Sequence, residues 1–129
     1  MQVEVVSASK VVWSGQSTNI IAKTSDGEIG ILANHSPVLA VLEPSAVVII
    51  SEDGSRQIVA VDGGFISVSQ GRVSILSEYA RMSGEVTVSQ AEKELAEAQT
   101  ALDSGDATDE DRQNFQRATA QLRAAQKAQ

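Results

Sequence analysis

Hydrophobic and polar residues alternate along much of the first two thirds of the chain. In residues 65–69 and 72–76, valine and isoleucine alternate with serine, which is the period of a β-strand with one buried and one solvated face. The Gln70-Gly71 pair between these runs suits a two-residue hairpin turn. Asp26-Gly27 and Asp53-Gly54 repeat the turn signal. The pattern predicts several short antiparallel strands.

Two further runs, residues 47–50 and 58–61, are hydrophobic at nearly every position. Strands of this kind are covered on both faces. We assign Gly15 to a turn, and the Gly63-Gly64 pair to a tight turn or a close approach of two strands. Together these features predict an antiparallel β-sandwich over residues 1–84.

From residue 85 to residue 129 the composition changes to alanine, glutamate and glutamine. Ser89 with Glu92 has the spacing of a helix-capping box, and Thr108 with Asp111 has a weaker version of it. Residues 103–106, Asp-Ser-Gly-Asp, form a helix-stopping turn between the two. The sequence therefore predicts a C-terminal antiparallel two-helix hairpin, and an α+β fold for the whole chain.

Each predicted helix carries one narrow apolar stripe, whose members step by three and four residues. The stripes comprise Val88, Ala91, Leu95, Ala98 and Leu102 in the first helix, and Phe115, Ala118, Leu122 and Ala125 in the second. We interpret them as the seam between the helices. Burial of the larger members gives about 10 kcal/mol, which is less than the entropy cost of ordering the segment. We therefore expect the hairpin to depend on docking against something else.

Composition excludes several classes of protein. The 129 residues include no cysteine, only 3% are aromatic, and the net charge is −7. A disulfide framework is thereby excluded, and an acidic chain is a poor binder of nucleic acid. No apolar run is long enough to cross a bilayer and no signal peptide is visible, so we expect a cytoplasmic protein that is not inserted into a membrane.

Candidate chemistry is sparse. The single histidine, His35, has no neighbouring carboxylates at metal-ligand spacing. There is no phosphate-binding glycine loop of the Walker type, and the serines lack a nucleophile-elbow motif. Trp13 is interpreted as a core residue. We expect no catalytic residue, no metal site and no cofactor.

The second predicted helix is basic. Arg112, Arg117, Arg123 and Lys127 are its cations, and no acidic residue follows Arg112. On a helical projection, Arg112, Arg123 and Lys127 lie on one side, roughly opposite the seam. This side is either an ordinary solvated face, with cations suited to the end of the helix dipole, or a basic stripe presented to an acidic partner.

Two segments carry a resemblance to a known family. Residues 26–39 read Asp-Gly-Glu-Ile-Gly-Ile-Leu-Ala-Asn-His-Ser-Pro-Val-Leu. They are similar to the Gly-Glu-hydrophobic-Gly-hydrophobic loop and the His-x-Pro-Leu stretch of the epsilon subunit of the bacterial F-type rotary ATP synthase, with the leucine displaced by one. Residues 63–68 and 73–76 resemble that family's paired glycines and last hairpin, and residues 5–7 and 13–15 fit its opening. The chain resembles this family over nearly its full length.

The resemblance implies a β-sandwich followed by two helices, in a non-catalytic rotor subunit of the central stalk. The implied partners are the gamma subunit, the ring of c subunits and, through the extended hairpin, the alpha/beta catalytic head. Such a subunit helps couple proton-driven rotation to ATP synthesis at the cytoplasmic face of the cell membrane, and its hairpin can inhibit ATP hydrolysis. The implied ring contacts are Glu28, Ile29, Gly30, Asn34, His35 and Pro37. The implied head contacts are Arg112, Arg117, Arg123 and Lys127.

One departure from the family concerns nucleotide. Members that bind ATP carry a hydrophobic-Asp-x-x-Arg-Ala motif at the start of the first helix, where this chain has Ser89 and Glu92 in place of the aspartate and arginine. We therefore predict no ATP binding.

Two alternative functions are open. One is a small-ligand-binding β-sandwich with a helical tail, although the chain lacks an aromatic platform for a ligand. The other is a serine esterase that uses His35, although the chain contains no motif of such an enzyme.

Overall fold

The computed structural model contains an N-terminal β-sheet followed by two packed helices, which confirms the predicted α+β fold. The structure describes residues 1–8, 10–85 and 87–128, and of Glu85 only the backbone. Val86 and Gln129, which the predicted helical segment includes, lie outside the described residues. The strands are β1 (Gln2–Ser7), β2 (Lys10–Gln16), β3 (Asn19–Thr24), β4 (Gly27–Leu32), β5 (Val38–Ile50), β6 (Arg56–Ser69), β7 (Arg72–Ser77) and β8 (Ala80–Met82).

Seven strands follow one another in the order β2-β1-β7-β6-β5-β3-β4, and β8 pairs with the first half of β6. Every pairing is antiparallel except that of β1 with β7. The predicted hairpin at Gln70-Gly71 is confirmed. Both residues have positive φ, 50° and 78°, as a two-residue turn with the twist of the flanking strands requires.

Strand β6 continues through the glycine pair instead of stopping there. Val59 and Val61 point into the core on one side of the pair, whereas Ile66 and Val68 do so on the other, so the inward side changes from odd to even positions. Strand β5, paired with β6 along its length, makes the same change between Leu42 and Val47. The two long strands therefore bend together, and the sheet folds over a core that strands from both of its ends share.

Gly64 allows β6 to pass close to β7. Its φ is +110°, and a Cβ atom at this position would lie 2.0 Å from the carbonyl oxygen of Leu76. The expected close approach of two strands is thus confirmed. The assignment of Gly15 to a turn is wrong, because this residue lies within β2. A Cβ atom on Gly15 would lie 2.8 Å from the Trp13 ring.

The core consists almost entirely of aliphatic side chains. Its buried members share the inner face of the bent sheet and are Val3, Val5, Ile20, Ala22, Ile31, Leu42, Val47, Ile49, Val59, Val61, Ile66, Val68, Val73 and Ile75. No helical residue belongs to this core cluster. Trp13, half-buried, packs against its edge, as expected of a core residue.

The helices are α1 (Val88–Leu102) and α2 (Asp109–Lys127). Thr108 accepts a hydrogen bond from the backbone of Asp111 and forms a complete capping box, as predicted. The box proposed at Ser89 is wrong, because α1 begins two residues earlier than that cap would allow, and Thr87 caps it by accepting from the Gln90 backbone at 3.1 Å. Threonine occupies both cap positions, and its hydroxyl is among the side chains preferred there.

Candidate functional site

Four members of the predicted seam pack together between the two helices. Ala91 and Ala125 are buried against each other's helix, with Val88 and Leu122 packed on them. Ala118 is also buried, and the other members of the seam, Leu95, Ala98, Leu102 and Phe115, are half-buried. Small residues at the contact allow the two backbones to lie close together.

Helix α2 has a second buried face, which packs on the outer side of the sheet. Ala120 and Ala124 lie against a sheet cluster formed by Ala46, Val48, Ile58 and Ala60. This contact explains why residues 47–50 and 58–61 are apolar on both faces, as predicted. A side of α2 away from the seam is therefore occupied by the sheet. Arg117 lies within that contact, whereas Arg112, Arg123 and Lys127 are exposed.

Asp62 is the polar centre of the contact between α2 and the sheet. Its side chain is only 5% exposed, and its Oδ2 atom accepts a hydrogen bond from Arg117 Nε at 2.8 Å. The other oxygen, Oδ1, accepts from Ser77 Oγ at 2.9 Å and from the Tyr79 backbone at 3.3 Å. Gln113 Nε2 approaches Oδ2 at 3.4 Å. The strands thus satisfy one carboxylate oxygen and α2 satisfies the other.

Tyr79 covers the same contact from the sheet side. The guanidinium of Arg117 stacks over its ring, 5.0 Å from the centroid, and the Gln121 amide donates a hydrogen bond to its hydroxyl. Burial raises the pKa of the Tyr79 phenol above its ordinary value, against an opposing effect of the neighbouring Arg81. Arg117, one of the expected head contacts, is therefore engaged by the sheet in this structure.

We expect alkaline pH to weaken this contact. A pKa raised in the folded state means that stability present below pH 10.0, the ordinary value for tyrosine, is lost as the pH rises through the raised value. Because Tyr79 is the only tyrosine, absorbance near 295 nm reports its ionisation alone. The native chain should titrate later than the chain in denaturant. Coincident curves would contradict the buried environment.

The remaining basic residues of α2 are exposed. Arg112 pairs with Asp109 at 2.5 Å, with side chains 57% and 98% exposed, so the pair adds little to stability. Arg123 and Lys127 line a cavity of about 120 Å³ together with Lys23 and Glu28 of the sheet. All three cations are accessible to a partner even with α2 docked.

A larger cavity, of about 400 Å³, lies between the helices and Tyr79. Three carboxylates, those of Glu94, Glu97 and Asp111, line it along with Arg117. This charge arrangement disfavours a phosphate group. Ser89 and Glu92 are exposed on α1 and do not line the cavity. Absence of ATP binding stays our prediction.

The expected ring contacts do not form one loop. Glu28, Ile29 and Gly30 lie in strand β4, whereas Asn34, with a φ of 69°, and the residues up to Pro37 follow the end of that strand. Four strand steps, about 13 Å, separate Glu28 from Leu32. His35 lies beyond them, with its Nδ1 atom 2.7 Å from the Ser36 carbonyl oxygen. The structure thus divides the six residues between two ends of β4.

Exposed hydrophobic side chains form a row across the outer face of the sheet, on the half that α2 leaves uncovered. The register aligns one residue from each of five adjacent strands, and we call this set the apolar row: Val41, Phe65, Leu76, Val6 and Val11. All but the half-buried Val6 are between 44% and 52% exposed. A groove of about 350 Å³ runs beside Phe65 and Leu76. Contiguous patches of this kind mark interaction surfaces.

Sequence reasoning missed Asp62, Tyr79, Gln113 and Gln121, which join α2 to the sheet. A signal was present, because α2 carries alanines on two of its sides. A helix facing only its partner helix needs one apolar stripe. The alanines at 120 and 124, outside the seam, indicated the second contact.

Within the described residues, no three His, Cys, Asp or Glu side chains are grouped so that they could hold a metal ion. None of the helices in the described ranges is long and apolar enough to span a bilayer.

Comparison with known proteins relates this architecture to a family. A family model described as the β-sandwich domain of the ATP synthase delta/epsilon chain matches residues 1–83. The chain belongs to this family of ATP synthase subunits. An ATP synthase epsilon chain of Cutibacterium acnes is 41% identical over 127 residues, covering 98% of this chain and 87% of the relative. One of Streptomyces coelicolor is 42% identical over 125 residues, covering 97% and 94%. The chain is thus a non-catalytic epsilon-type subunit of the central stalk.

Solved structures share the fold. A chain of the Euglena gracilis mitochondrial ATP synthase, from a structure of OSCP/F1/c-ring, has a TM-score of 0.76 at 23% identity and covers 98% of this chain and 79% of its own length. A chain from the central stalk/c-ring of the Tetrahymena thermophila enzyme has a TM-score of 0.53 at 19% identity, with 98% and 94% coverage. At these identities the likeness supports the epsilon fold alone.

Proposed function

We propose that this epsilon-type subunit joins the gamma subunit to the ring of c subunits, and so helps to transmit proton-driven rotation to ATP synthesis. The full-length similarity to bacterial epsilon chains is the observation that carries the proposal. The related solved chain from the Tetrahymena enzyme comes from a central stalk with its c-ring. This function places the chain at the cytoplasmic face of the cell membrane as a peripheral subunit.

The apolar row is the proposed gamma contact. It crosses five strands, about 19 Å at the usual strand spacing, which is the length of roughly three to four helical turns. A helix of gamma laid across the strands can cover Phe65 and Leu76 at its centre. Aromatic and aliphatic anchors of this kind dominate the energy of protein interfaces.

The proposed ring contact uses the ends of strand β4. Leu32 and Leu39 flank the segment that contains Asn34, His35 and Pro37, and they are 61% and 71% exposed. Exposed leucines around a polar turn suit the polar loops and apolar margin of a membrane ring. Glu28, Ile29 and Gly30, at the other end of β4, are proposed as a second and separate contact.

The hairpin is the proposed regulatory part, and we place the boundary of the sheet domain near residue 84. Extension of the hairpin beside gamma would carry Arg112, Arg117, Arg123 and Lys127 towards acidic segments of the catalytic head. Release of α2 would free Arg117 from Asp62 for such a contact. We propose that this extended state inhibits ATP hydrolysis.

The test is co-assembly with gamma. We expect Phe65→Asp to weaken binding of the isolated subunit to gamma by a factor of a hundred or more, because a charge would replace a central apolar anchor. Ser69→Asp is the matched control, since it adds the same charge to an exposed position on the same side of β6. Binding by titration calorimetry is the measurement. Equal affinity for both variants would exclude the apolar row as the gamma contact.

A further inference from the structure

We propose that the Asp62–Arg117 ion pair holds α2 on the sheet, and that its loss releases the hairpin while the sheet stays folded. The inference concerns the isolated chain and does not depend on assembly with other subunits. The pair joins a residue at the bend of β6 to the middle of α2, 55 positions apart in the sequence. The Asp62 side chain is only 5% exposed.

The apolar part of this contact has little shape complementarity. Among the described residues, the buried apolar side chains that α2 presents to the sheet cluster are those of Ala120 and Ala124, each a single methyl group. Side chains this small cannot interdigitate with the sheet as larger ones do, so they fix neither the rotation nor the sliding position of the helix. Directional contacts from Asp62 and Tyr79 must therefore fix the rotation and position of the helix on the sheet.

The polar contacts have the geometry to do so. Arg117 meets Asp62 through Nε and stacks on the Tyr79 ring, so its side chain is fixed in two directions. On the sheet side, Ser77 and the Tyr79 backbone already orient the carboxylate. Removal of Arg117 would leave Oδ2 of the buried Asp62 carboxylate, among the described residues, with the long Gln113 contact alone, and such an uncompensated charge is costly.

Gln121 adds one more polar contact to the docked state. This residue is 94% buried, and its side chain is hydrogen-bonded to the Tyr79 hydroxyl. The hairpin is therefore held on the sheet by a small number of polar contacts, which makes its position sensitive to the loss of one of them.

Hydrogen exchange on the isolated full-length chain tests the inference. We expect Arg117→Gln and Asp62→Asn each to raise amide exchange in α2 tenfold or more, with exchange in β3, β5 and β7 unchanged. Arg112→Gln is the matched control, because it removes the same charge from the same helix but from an exposed pair; its exchange should equal that of wild type. Amide exchange in the double variant should be no faster than in the faster single variant, because both substitutions remove the same ion pair.

Three results would overturn the inference. Unchanged exchange in α2 for both single variants would show that the pair does not hold the helix. Equal acceleration in the strands would show a general loss of stability instead of release. Acceleration by Arg112→Gln as large as that by Arg117→Gln would show an effect of helix charge and not of this contact.

Discussion

Replacement of Gly64 by alanine should destabilise the chain by roughly 3–5 kcal/mol. A residue with a side chain is strained at φ +110° by about 1–3 kcal/mol. The added Cβ would also lie 2.0 Å from the Leu76 carbonyl oxygen, so β6 and β7 would have to separate at the bend, at a cost similar to that of overpacking a core. The loss is a large part of the stability of a small protein. Urea unfolding followed by circular dichroism measures it.

Gly30→Ala is the matched control. Gly30 lies in strand β4, where a Cβ would meet nothing within 4 Å and φ is not positive. This variant should change stability by less than about 1 kcal/mol. A Gly64→Ala chain as stable as the Gly30→Ala chain would show that the bend does not require glycine.

Truncation after Glu85 should leave a folded sheet and remove inhibition of ATP hydrolysis by the reconstituted enzyme. The sheet should stay folded because its core cluster contains no residue of α1 or α2. The exposed cluster of Ala46, Val48, Ile58 and Ala60 should lower solubility, since α2 no longer covers it. We expect hydrolysis to rise several-fold if the hairpin is inhibitory. Steady-state ATPase assays and the circular dichroism spectrum of the truncated chain are the measurements.

A triple variant distinguishes inhibition by the charges of α2 from steric inhibition by the hairpin. Replacement of Arg112, Arg123 and Lys127 by glutamine leaves the seam and the sheet contact in place, so stability should change by about 0.5 kcal/mol or less. If these cations bind the head, the triple variant should reproduce part of the rise, and the difference should shrink at high salt. The contrary result is an enzyme that hydrolyses ATP faster with the truncated chain but at the wild-type rate with the triple variant. It would show that inhibition is steric.

Local patterns predicted the elements well. The alternation of valine and serine around Gln70-Gly71 identified β6 and β7, because the turn and the period of two agreed. Thr108 with Asp111 likewise identified the start of α2. Gly63-Gly64 was harder, since a glycine pair suits both a turn and a bend within one strand. Only the pairing of β5 along the whole of β6 distinguishes them.

The polar contact between α2 and the sheet could not be predicted from local pattern. Asp62, Tyr79 and Arg117 are far apart in the chain, and a single aspartate before a glycine pair is typical of an exposed turn. Arginine in a helix is likewise typical of a solvated face. What joins them is the bend of β6, which carries Asp62 under α2, and no periodicity contains this information.

The parallel pairing of β1 with β7 has a consequence for the order of folding. During synthesis the first two strands can form a hairpin early, but β1 has its other neighbour only when Ser77 has been made. Contacts of such long sequence separation form slowly, and until then the inner edge of β1 is free to pair with another chain. The nascent subunit therefore carries an unpaired edge of β1 until β7 emerges, and its outer sheet cluster stays uncovered until α2 follows.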